Sequence, residues 1–456
     1  MNQEQELDIL LEKEISSGCY DKIVAGIEIY HYLYRFVRIR YFEGNGYKYS
    51  GNYGDVSWNK KIKFYFISFF QVLKLLLFEK ADNVLHVFRL YETNGVYLDK
   101  FIDPIVEFSE LKNSKYVIFE PAIGGVHRMP RLHKDRVVYT DFIDFVARVI
   151  RKITQSFFNK KHGFEIEELW KSLDVVMDGI VYDKEYFKIV INSFVVRQYI
   201  YYVIFSKLRA KRLIAASKSA FREQLYAAKR CGMKVCELQH GIIWGNTIQY
   251  LVPFNELFIP DCFMMYGRMC PKDKFGVPVD KVKLLGFAYL QYVENIVSEN
   301  NKNNNSVFVI SDPIISEKLF DVIKELALNY PSYTFCIRLH PMEILSEKQL
   351  KIIKETANIR LENNKSDIML ELPKYEMVVG GNTTVMYEAA SIGKKVGKFA
   401  YPWITPIFIN SSDKDAFWLI KDDKTFGEFL AAENNKIKVE YYSAYNNEII
   451  NEFLKE

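Results

Sequence analysis

The chain has 456 residues, 49% of them hydrophobic and 26% charged, with 61 Lys and Arg against 57 Asp and Glu for a formal net charge of +4. That length is too great for one core and calls for two domains. The near balance of charge excludes nucleic-acid binding driven by a bulk basic field. Six cysteines without CxxC or Cys/His ligand spacing argue for buried thiols in a reducing compartment, not for a disulfide framework or a metal centre.

In chain order, Met1–Ser17 is acidic and polar, so no signal peptide is expected. Ile62–Phe78 is aromatic and apolar but is interrupted by Lys63, Gln71 and Lys74, and it falls short of the ~20 apolar residues that span a bilayer. It reads first as a buried core helix and second as an in-plane membrane contact. Val84–Phe88 and Tyr116–Phe119 read as buried strands, with His86 and Glu120-Pro121 near their ends as weak acceptor candidates. Residues 141–210 are mainly helical. Within them Tyr199, Tyr201, Tyr202 and Phe205 lead into Lys207, Arg209, Lys211 and Arg212, which reads as a solvated helix end in preference to a lipid-facing one. Then follow a strand over Arg212–Ala216, a helix over Lys218–Arg230, and strands over Lys234–Leu238, Phe263–Tyr266 and Lys283–Leu285.

The tract Asn300–Asn305 cannot bury anything and marks the domain break. The reading is therefore a first domain over 1–298 with helical insertions, a linker over 299–305, and a second domain over 306–456 whose last helix packs back on the first. Beyond the break, strands over Val307–Ser311, Thr334–Leu339, Ile359–Leu361, Met377–Val379 and Lys395–Phe399 alternate with helices over Ile315–Asn329, Ser346–Thr356, Asp367–Leu372 and Val385–Ile392. Such alternation predicts an α/β fold of two Rossmann-like, doubly wound domains facing a central cleft. Ligands in such sheets bind at the carboxyl ends of the strands.

Three segments lie at such ends. Gln239-His240-Gly241 follows the Lys234–Leu238 strand, and a histidine there can take a proton near neutral pH. Arg338 and His340 alternate with Ile337 and Leu339 on one strand face before Pro341, two donors suited to a phosphate. Gly380-Gly381-Asn382-Thr383-Thr384 turns from a strand into a helix, a device that offers free N–H groups and a positive helix end to an anion. Glu388 lies one turn further on. Ser311, Asp312 and Lys218 follow other strands and are weaker cleft candidates. Asp413-Lys414-Asp415 is the one Asp-x-Asp element and reads as a solvated loop. No GxGxxG, P-loop or GxSxG pattern occurs.

In their order these motifs resemble GT-B glycosyltransferases of bacterial surface-polysaccharide assembly. That broad group includes capsule and O-antigen transferases, bacterial sialyl- and polysialyltransferases, and teichoic-acid glycerophosphotransferases. Its His-Gly element matches His240-Gly241, its Arg-x-His-Pro element matches Arg338, His340 and Pro341, and its hydroxyl-rich turn before Glu-Ala-Ala matches Asn382-Thr383-Thr384 and Glu388-Ala389-Ala390. Phe263–Gly267 and Lys283–Ala288 resemble the segment that passes from one domain to the other. The match spans roughly residues 212–400, and Thr383-Thr384 stands where serines are usual.

The resemblance implies a transferase that moves a sugar from a nucleotide-sugar donor to a glycan or lipid-linked glycan acceptor. It would work in the cytoplasm, with peripheral contact at the inner membrane, and without nucleic-acid partners. His240 would act as base, or else bind donor phosphate. Arg338, His340, Gly381, Thr383 and Thr384 would hold the phosphates, and Glu388 the ribose. Such electrostatic stabilisation replaces a metal or other cofactor, and the absence of a second Glu at position 380 favours inversion. The alternatives are glycerophosphate transfer from CDP-glycerol, a sugar-nucleotide 2-epimerase of the same fold, and a non-catalytic GT-B scaffold.

Overall fold

The computed structural model describes residues 3–45, 58–122, 125–243, 250–267, 277–294, 305–340, 343–363, 366–409, 411–432 and 441–456. Most of the linker and Pro341 lie outside these. Short apolar runs without alternation form the inner strands, buried on both faces as parallel sheets require, while the edge strands over Val282–Leu284 and Ile359–Leu361 are largely exposed. The first sheet has seven strands: β1 (Asn83–His86), β2 (Tyr116–Glu120), β3 (Val137–Tyr139), β4 (Arg212–Ala216), β5 (Lys234–Leu238), β6 (Cys262–Met265) and β7 (Val282–Leu284). They are parallel throughout, in the order β7-β6-β5-β4-β1-β2-β3. The second sheet has six: β8 (Ser306–Ile310), β9 (Thr334–Arg338), β10 (Ile359–Leu361), β11 (Met377–Gly380), β12 (Lys395–Phe399) and β13 (Trp418–Ile420). These too are parallel, in the order β10-β9-β8-β11-β12-β13.

Each sheet runs outward from its first strand in one direction and then, from its fourth, in the other. The reversal leaves a crevice between β1 and β4 in one half and between β8 and β11 in the other, and those crevices are where a doubly wound sheet takes ligands. The architecture is the two-domain α/β arrangement of the GT-B fold.

One apolar core joins the halves. It runs from Leu85, Ile118 and Ile214 of the first sheet to Phe308, Val378 and Val396 of the second. The C-terminal segment crosses to the first half, where Ser443 N donates to Tyr266 O (2.8 Å) and Arg212 Nε to Phe453 O (3.1 Å). Gly286 permits that crossing: it sits at φ 76°, and a Cβ there would lie 2.1 Å from Ala444 O.

Helices bury one face each. Those used below are α1 (Gln3–Ser16), α2 (Tyr30–Gly44), α3 (Trp58–Phe78), α4 (Asp141–Lys161), α5 (Lys184–Leu208) and α6 (Thr384–Ser391). α3 corrects the core-helix reading. Ser68, Val72 and Leu75 are buried, but Phe66, Phe70, Leu77 and Phe78 are exposed, so only half of the helix is core. Lys218–Arg230 is also divided. A short 3-10 turn covers Lys218–Ala220, and the α-helix begins at Arg222.

α1 and α2 are locked by an ion pair with no exposed surface, Arg38 Nε to Glu14 Oε1 (2.8 Å) and Nη2 to Oε2 (2.6 Å), with Tyr20 Oη donating to Glu14 Oε2 (2.9 Å). Removing one partner strands the other charge. Arg38→Leu should cost about 3–5 kcal/mol in urea unfolding, and the double variant Glu14→Gln/Arg38→Leu should recover much of it. A single variant within 1 kcal/mol of wild type contradicts this.

Candidate functional site

The β1 and β5 ends of the first half and the β8, β9 and β11 ends of the second meet across one interface. His240 follows β5, and its neighbour Gly241 lies against the start of α6: a Cβ there would sit 3.2 Å from Thr384 Oγ1. Ile242 N donates to that same oxygen at 3.4 Å. The His-Gly turn of one half and the hydroxyl-rich turn of the other are therefore in contact.

The His240 ring packs edge-on to Phe88 at 5.1 Å, and its Nδ1 is buried with no hydrogen-bond partner. Burial, together with the charges of Arg89 and Arg35, lowers its pKa to about 4. His340 is lowered to about 4 as well, by burial and then by Arg89. One guanidinium thus acts on both imidazoles, which are neutral at pH 7. Arg89 forms no ion pair among the described residues, and its guanidinium rests 5.5 Å from the Phe88 ring centroid. A cationic site with two neutral imidazoles and a helix start can accept an anion and a proton.

Asp99 holds Arg89 in position. Its Oδ2 accepts Phe88 N (2.7 Å) and Arg89 N (3.0 Å), and its Oδ1 accepts Phe101 N (2.8 Å) and Ile102 N (3.0 Å). Asp103 Oδ2 in turn accepts Asp99 N (2.5 Å) and Arg131 Nη1 (2.8 Å). Arg131 Nε reaches Glu120 Oε2 at 2.8 Å, and Glu120 Oε1 meets His127 Nδ1 at 3.0 Å. Glu120 is therefore an interior network residue, not an acceptor contact. His86 is interior too, with burial lowering its pKa to about 4.

On the second half, Thr383 caps α6, its Oγ1 accepting Val385 N (3.4 Å). Asn382 is tied to the 405–407 loop, donating to Thr405 O (2.9 Å) and accepting from Ile407 N (2.8 Å). Gly381 is required by packing, since a Cβ would fall 2.7 Å from Ile315 Cδ1. Glu343 joins Ser311 to the β9 end: its Oε1 accepts Ser311 Oγ (2.8 Å) and its Oε2 accepts His340 N (3.1 Å). Asp312 Oδ1 accepts Ile314 N (2.9 Å) in a local turn.

Four sequence candidates have other partners in this state. Arg338 Nη1 donates to Asn363 O (2.5 Å) and Ser366 Oγ (3.3 Å), and Nη2 to Ser366 O, so its guanidinium braces the loop beyond β10. Glu388 is buried, with Oε1 near Lys100 Nζ (3.4 Å) and accepting from Tyr442 Oη (3.0 Å), which ties the halves together. Gln239 is fully buried and pins the β5 end, donating to Gly241 O (2.8 Å) and accepting from Tyr266 N (2.8 Å). Lys218 is buried beside the Tyr250 ring, and its N–H donates to Glu237 Oε1 (2.6 Å). Asp413 corrects the solvated-loop reading. It is 2% exposed, and its charge acts on Lys398, which burial lowers to about 7 within the rings of Tyr387, Phe408 and Phe417.

Sequence reasoning missed Arg89, Arg35, Lys100, Glu343 and Asp99. Arg89 had a usable signal, because it directly follows the apolar run Val84–Phe88, at the carboxyl end of a strand.

No protein-family model matches the chain, and no curated protein does. Among solved structures, a Staphylococcus aureus MnaA–UDP co-structure aligns at TM-score 0.48 with 10% identity, over 82% of this chain and 95% of that one. A UDP-GlcNAc 2-epimerase from Neisseria meningitidis bound to UDP-GlcNAc aligns at 0.47 with 14% identity, over 82% and 100%. The wall teichoic acid polymerase TagF with CDPG aligns at 0.42 with 10% identity, over 87% and 88%. At these values the likeness is one of layout and says nothing of chemistry.

Proposed function

We propose that the chain is a glycosyltransferase that moves a sugar from a nucleotide-sugar donor to a growing bacterial surface glycan, capsule or O-antigen, with inversion and without a metal. The observation that carries this reading is the meeting of His240, His340, Arg89 and the Thr383–Thr384 helix start at one interface. The donor's phosphates bind against Arg89, His340 and the α6 N–H groups, where the helix end and the guanidinium stabilise charge on the leaving group. The acceptor hydroxyl attacks the anomeric carbon, its proton passes to the His240 imidazole, and the nucleotide departs. Burial and the charges of Arg89 and Arg35 make His240 a weak base. A bound phosphate offsets that field, so the imidazole becomes more basic when the donor is in place. Glu388 reaches a ribose in this reading only if Lys100 releases it.

The test is thermal stabilisation by CMP-, CDP-, UDP- and GDP-linked sugars. One of them should raise the melting temperature, and His340→Ala should weaken its binding by roughly tenfold or more, the worth of a charge-assisted hydrogen bond. Affinity should also strengthen as pH falls from 7 to 5. The free imidazoles titrate near pH 4 and the anion raises them, so binding takes up protons across that window. A response to CDP-glycerol alone would shift the reading to glycerophosphate transfer. No response to any compound would overturn it.

A further inference from the structure

The outer face of α3 and α4 is apolar in an unusual way. On α3 the exposed side chains Ile62, Phe66, Phe70, Leu73 and Leu77 recur every three or four residues, so they form one stripe. On α4, Phe145, Val149, Ile153 and Phe157 recur every four. The exposures are large: 64% for Phe70, 75% for Ile153 and 67% for Phe157. Both helices pack on the same side of the first sheet, burying Val72, Leu75 and Ile143 in one cluster with Val84, Phe119 and Leu213. Their outer stripes therefore face the same way. Tyr65 and Phe145, with ring centroids 5.6 Å apart, join them laterally.

The charge on this face is mainly basic. Beside the apolar row of α4 runs a second exposed row with Arg148, Lys152 and Lys160, and α3 exposes Lys63 and Lys74, the latter paired with Glu79 just beyond the helix (3.0 Å). α3 contains no carboxylate at all. The two on the described part of α4 are already used, Asp141 Oδ2 with His127 Nε2 (2.7 Å) and Asp144 with Arg197 (3.1 Å). α5, the one helix among the described residues long and apolar enough to cross a bilayer, is half buried against its neighbours and is not part of this face.

We infer that the α3–α4 face is a docking surface for an anionic lipid bilayer, lying in the interface with its aromatic and aliphatic stripe in the acyl boundary and its lysines and arginines among the headgroups. Mixed aromatic and basic rows on an in-plane helical face suit this partner, since long basic side chains bury their stems and keep their charge at the headgroup level. A second copy fits less well, because a two-fold contact would set one positive face against another.

The experiment is sedimentation of the full chain with vesicles of phosphatidylcholine alone or of phosphatidylcholine and phosphatidylglycerol at three to one. Wild type should bind the anionic vesicles, more weakly in high salt, and bind the neutral ones at least tenfold less. Phe70→Ser/Phe157→Ser and, separately, Arg148→Glu/Lys152→Glu should each weaken binding by about tenfold or more while melting near wild type, because all four residues are exposed. The inference fails if wild type binds neither vesicle, or binds both equally. It also fails if both double variants bind as wild type does, or if wild type is a dimer in solution that Phe70→Ser/Phe157→Ser dissolves.

Discussion

His240→Ala is expected to lower transfer by about 10²–10⁴-fold while leaving the donor's thermal shift within a factor of a few. The expectation rests on the proposed role as base and on three observations about this side chain. It follows β5 at the interface, its Nδ1 has no partner, and burial with Arg89 and Arg35 keeps it deprotonated. A structural histidine would behave otherwise. Its loss would lower the melting temperature and leave turnover per folded molecule intact. His240→Gln separates the cases further, since glutamine fills the space beside Phe88 and cannot take a proton. Near-normal turnover in either variant removes His240 from the chemistry. Loss of the donor shift instead would move it to phosphate binding.

How much of this was readable in the sequence differs between strands and site. Buried parallel strands announce themselves: Arg212–Ala216, Lys234–Leu238 and Lys395–Phe399 fall on the residues their apolar runs indicate. Short edge strands do not. Val137–Tyr139 and Trp418–Ile420 have three residues each, too few for a pattern, and are defined by pairing with β2 and β12. The hairpin of Tyr91–Thr93 and Val96–Leu98 carried a signal that went unread, Asn94-Gly95, which adopts the two positive φ angles of a tight hairpin turn.

The site divides the same way. Strand ends could be found because the fold sends ligands there. What each side chain touches could not, because it depends on residues far away in sequence. Arg338 is occupied by a loop some 25 residues later, and Glu388 by Lys100 from the other half, 288 residues earlier. Two donors alternating on a strand look the same in sequence whether they face a phosphate or brace a loop.

The largest effect on folding and site together should come from Asp99. Burial raises its carboxyl to about 6, with Asp103 adding to the rise, so the charge is costly and the benefit lies in the four backbone N–H groups it accepts. Asp99→Ala leaves all four without that acceptor in a buried turn and should cost on the order of 3–5 kcal/mol. Asp99→Asn keeps one carbonyl oxygen and should lose about half as much. Two of those N–H groups belong to Phe88 and Arg89, so the same substitution releases the turn that aims the guanidinium at His240 and His340. Arg89→Ala, by contrast, removes a half-buried side chain with no ion-pair partner among the described residues. It should change stability by less than about 1 kcal/mol while weakening nucleotide binding as much as Asp99→Asn does. Measuring urea midpoints and nucleotide affinity on the three variants tests the chain of support from Asp99 to Arg89 to the imidazoles. If Asp99→Asn loses stability yet binds nucleotide as wild type does, Asp99 does not position Arg89, and the turn serves the fold alone.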